Sequence, residues 1–580
     1  MSLPNPNESL PDVPCLPQQD PDPLQRRNGV LALRDQYAWD HAYLPPFALL
    51  KELNGEDFKN PLVPTPQEVA SRIPKQERPG LEYSQGRNAV AQELTKAKEQ
   101  AAAFIQEVGT FKSFEDYAEL LKVFPPPECL PHWKDDRYFA RQRVAGLNPV
   151  ALRKLKEVPA KLAVDDARLT GVLPEGETLA GLAAAGRLFV CDYAILEDLS
   201  LQAPKYVVPA IGLFFSNAQG ELRVAAIQLG QKPVATDVYT PKDGEAWLMA
   251  KMMFQTADVN AHEMGTHLCR THFVLEGVLV AMVRTLSVRH PVAVLLKPHL
   301  RYLVFNNMLG RYLLLGQNGS ATSLLAGGEQ GNKQLLERSY SGYARAQLEP
   351  WSFEDWDHPC ELRSRGFDED STLKKYPFRD DGMLLWEAVG KFVSQYIDVY
   401  YASDAEVGGD SELQDWMTEL ISATGAHLKG APDRLGSRED LALLLQRIIW
   451  ASGPLHSALN YPQYGQLAFA PNMTPAMFGP PPSNATEQDA MLPDKVRGLL
   501  PPPLTALMQA GTMYTLAIYH FDQLGLYQPG DFADPRVSGC IGQFQELLKQ
   551  TESQLTLQNA QRPWDYQYLL PSRVLNSTSI

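Results

Sequence analysis

His262, His267 and His272 recur every five residues in HEMGTHLCRTH, and His456 is followed four residues later by Asn460 in WASGPLHSALN. The chain closes on Ile580 after NSTS. Imidazoles, one amide and a terminal carboxylate make a plausible ligand set for a single metal ion. The set is rich in nitrogen and oxygen and contains no thiolate, which suits iron or manganese better than a structural zinc.

The spacing constrains the elements that must carry these side chains. On an α-helix, residues five apart lie about 140° apart around the axis, on nearly opposite sides. Two of the clustered histidines reach one ion only if the helix is locally widened by a π-type turn. His456 and Asn460, four apart, need no such distortion. The other histidines (His41, His132, His290, His299, His358, His427 and His520) read as hydrogen-bonded structural residues.

The helical period dominates from residue 243 onward. It predicts helices over 244–275, 276–289, 296–315, 380–402, 410–422, 437–460, 502–523 and 535–553. A helix pair is expected within 87–122. In KYVVPAIGLFFSNAQGELRVAAIQLG, residues 205–230, two β-rich runs flank Asn217-Ala218-Gln219-Gly220, which signals a hairpin. Residues 1–30, rich in Pro, Asn and Asp, read as a loose leader. There is no internal repeat.

Bulk properties exclude several classes. A net charge of −15 leaves no general basic face for nucleic acid or for simple attachment to anionic lipid. The six cysteines are scattered and form no CxxC pair, so a reduced, cytosolic setting is expected. The polar, proline-rich start does not read as a signal peptide, and no apolar run approaches a membrane span. Residues 275–286 are apolar but carry Glu276 and Arg284, and read as a buried core helix.

Five stretches, in order, make the inventory specific. They are DDRYFARQRVAGLNP (135–149), the long run WLMAKMMFQTADVNAHEMGTHLCRTH…NNMLGR (247–311), YPFRDDGMLLWEAV (376–389), DSELQDWMTEL (410–420) and the tail NSTSI. Together they resemble the lipoxygenases, non-haem iron fatty-acid dioxygenases. The resemblance spans roughly residues 130–580. It implies a mainly α fold: one large helical catalytic domain with a small β subregion, the metal held between central long helices. Residues 129–580 are expected to form that domain and residues 1–128 an N-terminal leader and helical extension. The chain resembles minimal bacterial and cyanobacterial forms that lack the family's N-terminal β-sandwich.

Carried over from the family, the metal ligands are His267, His272, His456, Asn460 and the main-chain carboxylate of Ile580, with His262 in a supporting role. The implied cofactor is one Fe2+/Fe3+ ion per chain; manganese remains an alternative for the same ligands. The implied reaction removes a bis-allylic hydrogen atom from a polyunsaturated fatty acid such as linoleic, linolenic or arachidonic acid. O2, the co-substrate, then adds to the opposite face of the radical. Gly310 matches a position where the family carries Ala or Gly, and Gly there accompanies R-configured hydroperoxides. Leu314, one turn later, matches a position that shapes oxygen access, while Leu309 and Leu313 are expected to pack. The expected state is a monomer with no more than transient membrane contact.

One departure stands out. Where the family usually has Gln after the first clustered histidine, this chain has Glu263. An ionised Glu accepts hydrogen bonds but cannot donate. Either it is held protonated in a dry pocket, or the network tying the Asn460 amide to the substrate is changed. Two other activities remain open: a hydroperoxide isomerase or lyase on the same fold, and a lipid-binding protein without catalysis.

Overall fold

The computed structural model describes residues 13–41, 45–50, 65–368 and 371–580. Most of these belong to one helical assembly around one large hydrophobic core. The helices that matter below are α1 (Pro23–Arg34), α2 (Leu81–Val108), α3 (Phe114–Leu120), α4 (Asp136–Ala145), α5 (Gly244–Ala261), α6 (Val274–Thr285), α7 (Leu303–Gly310), α8 (Gly328–Ser341), α9 (Pro377–Tyr400), α10 (Ser411–Ile421), α11 (Arg438–Trp450), α12 (His456–Asn460), α13 (Pro503–Ala517) and α14 (Ser538–Asn559). Three π-helical segments join them: His262–Phe273 between α5 and α6, Arg311–Leu315 after α7, and Ala451–Leu455 between α11 and α12.

The hairpin expected around Asn217–Gly220 forms. Strands Ile211–Ser216 and Leu222–Gln228 pair antiparallel, Gly220 has φ of 72°, and Asn217 Oδ1 accepts from the backbone N–H groups of Gln219 and Glu221. It is the centre of a five-stranded antiparallel sheet. Alternation splits its faces. Leu188 and Val190 join a small satellite core, whereas Phe189 and Cys191 face the main one. No β-sandwich occurs among the described residues, and none of their helices is long and apolar enough to cross a membrane.

Several segments differ from the sequence expectation. Residues 1–12 lie outside the described residues, but 23–34 form α1, capped by the Asp22 carboxylate and tied to α10 through Arg26 and Glu412. The continuous helix expected over 296–315 is broken. Pro298 starts a 3-10 turn, and Tyr302 adopts a left-handed backbone (φ 60°) before α7 begins. The helix expected over 276–289 stops at Thr285, ahead of a new helix started by Pro291. The expected 437–460 helix contains Pro454, which has no N–H to donate, and a π segment forms around it.

α5 runs through the centre of the core, with Ala246–Asn260 all buried, including polar side chains. Each needs a partner there. Asp258 takes an ion pair from Arg143 and a 2.9 Å hydrogen bond from Asn148. Lys251 donates to Asp136 Oδ1 at 2.6 Å, and Gln255 donates to Gln142 Oε1 at 2.6 Å. The DDRYFARQRVAGLNP motif is thus the set of partners that lets a polar helix lie in the core. Ahead of residue 129, α2 packs against α13, and Arg87 and Lys98 of α2 reach the wall of the cavity described next.

Candidate metal centre

The π segment His262–Phe273 resolves the five-residue spacing. Widening the turn brings His267 and His272 onto one side, and α12 packs against the segment to add His456. His272 Nε2 lies 3.3 Å from His267 Nε2 and 3.1 Å from His456 Nε2. Two nitrogens each about 2.1 Å from one ion lie about 3.0 Å apart at a right angle and about 3.4 Å apart at a tetrahedral angle. Both observed spacings fall in that interval, and one donor atom from each of the three rings lies within 4.8 Å of the others.

The rings are buried and poised as neutral ligands. Burial, then the neighbouring His267, pushes the His272 pKa down to about 3. Burial also depresses His267, and depresses His456 far below the ordinary histidine value. His272 Nδ1 donates to Asn307 Oδ1 at 3.0 Å, which leaves the Nε2 lone pair free for a metal. Asn307 is held in turn by Glu276 Oε2 and the His272 carbonyl, and Arg311 braces Glu276 with two 2.8 Å bonds.

The centre opens onto a cavity of about 290 Å³ whose wall includes His267, His272, Leu268, Leu309, Gly310, Leu314, Asn460, Leu516 and Ile580. It is largely apolar, as a hydrocarbon chain requires. A Cβ on Gly310 would meet only Leu314 Cδ1, at 3.8 Å. Close helix packing therefore does not demand glycine there. Leu313, expected to pack, is 42% exposed and also lines the cavity.

A profile of the lipoxygenase family matches residues 80–566. The chain belongs to the lipoxygenase family. It is 32% identical over 483 residues to a linoleate 9/13-lipoxygenase of Pseudomonas aeruginosa, covering 78% of this chain and 68% of that one. It is 31% identical over 485 residues to the hydroperoxide isomerase ALOXE3 of Mus musculus, covering 81% of this chain and 66% of that one. The chain therefore spans about two thirds of the length of both relatives. It also resembles the anaerobic crystal structure of delta413-417:GS LOX in complex with arachidonate, with a TM-score of 0.89 at 25% identity, covering 98% of this chain and 83% of that one. Family membership makes it an oxidoreductase of the dioxygenase class, in a family known for non-haem iron.

In this lipoxygenase the donor set fits such an ion: converging neutral imidazoles, one with its tautomer set by Asn307, next to an amide. Asn460 Nδ2 donates to the Leu516 carbonyl and its Oδ1 accepts from Gln463 Nε2, both at 2.8 Å. Glu263 does not join that pair. It stands 3.4 Å from His262 Nδ1 and 3.7 Å from His267 Nδ1. Burial alone would raise its pKa, but the two imidazoles outweigh it and hold the carboxyl down at about 2. Of the two readings, the direction of this shift favours the ionised one.

The lipoxygenase tail is pinned along its length. Residues 576–580 are all buried. Asn576 donates to Asp522 and to the Gln523 and Leu526 carbonyls, Thr578 donates to the Ser452 carbonyl, and Tyr83 of α2 donates to the Ser579 carbonyl. His299, read as structural, accounts for another contact with the Asn576 carbonyl, and His290 pairs with Asp410. His262 faces the Leu459 carbonyl at 3.1 Å, in a supporting place. Sequence reasoning missed Asn307, Gln463 and Tyr83. Only Gln463, three residues after Asn460 on a short helical run, carried a local spacing signal.

Proposed function

We propose that this lipoxygenase oxygenates a polyunsaturated fatty acid to an R-configured hydroperoxide. The observation that carries the reading is the meeting of three neutral Nε2 atoms on the wall of an apolar cavity that also contains Gly310 and Leu314. His267, His272 and His456 would hold the iron, with the Asn460 amide and the Ile580 carboxylate completing the set. When bound, the iron supplies the one-electron redox chemistry that cleaves a weak bis-allylic C–H bond.

The protein's own residues do the rest. Leu268, Leu309 and Leu516 exclude water and align the chain, so that one methylene faces the metal. Gly310 leaves space on one side of the pentadienyl unit, and Leu314 narrows the neighbouring side. The largely apolar cavity beside the three histidines supports this substrate class, as does the arachidonate complex of a structural neighbour.

The test is oxygen uptake and conjugated-diene absorbance on linoleic, linolenic and arachidonic acids, alongside elemental analysis of the purified protein. One iron per chain and diene formation are expected. Because a similar relative is a hydroperoxide isomerase, a preformed hydroperoxide is supplied in a parallel reaction. Its consumption, with no oxygen uptake on fresh fatty acid, would replace the dioxygenase reading with an isomerase one.

A further inference from the structure

The three-histidine centre uses one side of the His267 ring. On its other side lies a second group of donor atoms, from His262, Glu263 and His267, all within 4.8 Å of one another. Glu263 Oε1 is 3.4 Å from His262 Nδ1, and Oε2 is 3.7 Å from His267 Nδ1. Both exceed the ordinary hydrogen-bond range of about 2.7–3.2 Å. They are close to the separation of about 3.4 Å expected between two ligands on a tetrahedral ion with bonds of about 2.1 Å.

The orientation of His262 sharpens the point. Its Nε2 lies 3.1 Å from the Leu459 carbonyl, which only accepts, so Nε2 carries the hydrogen. Facing the carboxylate, Nδ1 then has either a second proton of its own or a lone pair for a bound cation. His262 is fully buried, and among the described residues neither its Nδ1 nor Glu263 Oε1 has a hydrogen-bond partner. A buried ring nitrogen and a buried carboxylate oxygen this close need a positive charge between them, a proton or a metal ion, and at 3.4 Å the gap is wider than an ordinary hydrogen bond. The π turn causes this convergence: His262 and His267 are five apart, and their rings stack at 5.2 Å with 20° between planes. Glu263 also lines the cavity, which gives an ion a path in.

We propose that His262, Glu263 and His267 hold a second divalent cation of the zinc class, next to the three-histidine centre and sharing the His267 ring with it. Two imidazole nitrogens, the Glu263 carboxylate and an open position for water form a zinc set. With both centres filled, His267 would offer Nε2 to one and Nδ1 to the other, which requires the Nδ1 proton to pass to solvent. Glu263 supplies the negative charge that lets cations lie on both sides of one ring. The glutamine usual in the family would not supply it.

The experiment loads the protein with iron, adds zinc at micromolar concentration, removes unbound metal and counts both elements by mass spectrometry. One iron and one zinc per chain are expected. Glu263→Gln and His262→Asn should each weaken zinc binding by at least about tenfold while iron stays at one per chain. If a variant misfolds by circular dichroism, anomalous diffraction at the zinc edge from crystals of the parent protein locates the ion directly. Zinc density between His262 and Glu263 supports the proposal. A parent protein that takes up no zinc, or zinc uptake unchanged in Glu263→Gln, overturns it and leaves an imidazolium–carboxylate pair. Iron is counted separately, so failure of the three-histidine centre is recorded as its own result.

Discussion

Gly310→Ala tests the steering of oxygen. Gly310 has helical backbone angles (φ −61°, ψ −39°), so no unusual conformation requires glycine. The added methyl meets only Leu314 Cδ1 at 3.8 Å, an ordinary contact, and the cavity wall absorbs it without a shift. Removing a helical glycine should even stabilise the protein, by roughly 0.5–1 kcal/mol. The effect on product is of a different size. Turning a tenfold R excess into a tenfold S excess is about a hundredfold change, or about 2.7 kcal/mol between competing transition states. Overpacking costs of about 1–3 kcal/mol, felt by oxygen where the methyl now lies, reach that size. Chiral chromatography of the hydroperoxides, with thermal melting as a control, is the assay. A raised melting temperature with unchanged regio- and stereochemistry would refute the reasoning and assign the steering to another wall of the cavity.

The remaining predictions concern the metal, its supports and pH. His267→Ala, His272→Ala and His456→Ala should each carry little iron and show no oxygenation, while Asn460→Ala keeps more of both; a His272→Ala protein with normal iron content would contradict the ligand assignment. Asn307→Leu should lower metal affinity by about 10–100-fold, because nothing then fixes the His272 tautomer; dialysis against a chelator measures it, and an unchanged rate of iron loss would disprove the role. Deleting Ile580 or extending the chain beyond it should displace the proposed carboxylate ligand and stop turnover, so a fully active extended protein would remove that ligand from the set. Burial pushes His299 down to about 4 and His358 down to about 3. In the unfolded chain both take up a proton below about pH 6.5, whereas the folded ones do not. Stability should therefore be full above that pH and fall toward about pH 4, by roughly 1.4 kcal/mol per unit per histidine. Urea midpoints that stay flat between about pH 7 and about pH 5 would rule this out.

The need for a widened helix among the clustered histidines was legible in the chain, because side chains five residues apart share one side of a helix only when its turn is widened, whereas the choice of candidate ligands among them came from the family resemblance. The hairpin at Asn217–Gly220 was legible too, since its turn chemistry is local. Pro298 and Pro454 stood in the sequence as punctuation, but whether each would end a helix or widen it depended on the neighbours packed against it. The partners of the metal rings could not be read. Asn307 lies 35 residues from His272, and Tyr83 lies 496 residues from the Ser579 carbonyl that it holds. The ionisation of Glu263 was likewise open until the structure placed its carboxylate against two imidazoles rather than against Asn460. Residue types and short spacings set which donors this lipoxygenase has available. Tertiary packing decided which of them meet and which are ionised, because burial and long-range neighbours, absent from any local stretch of chain, set both.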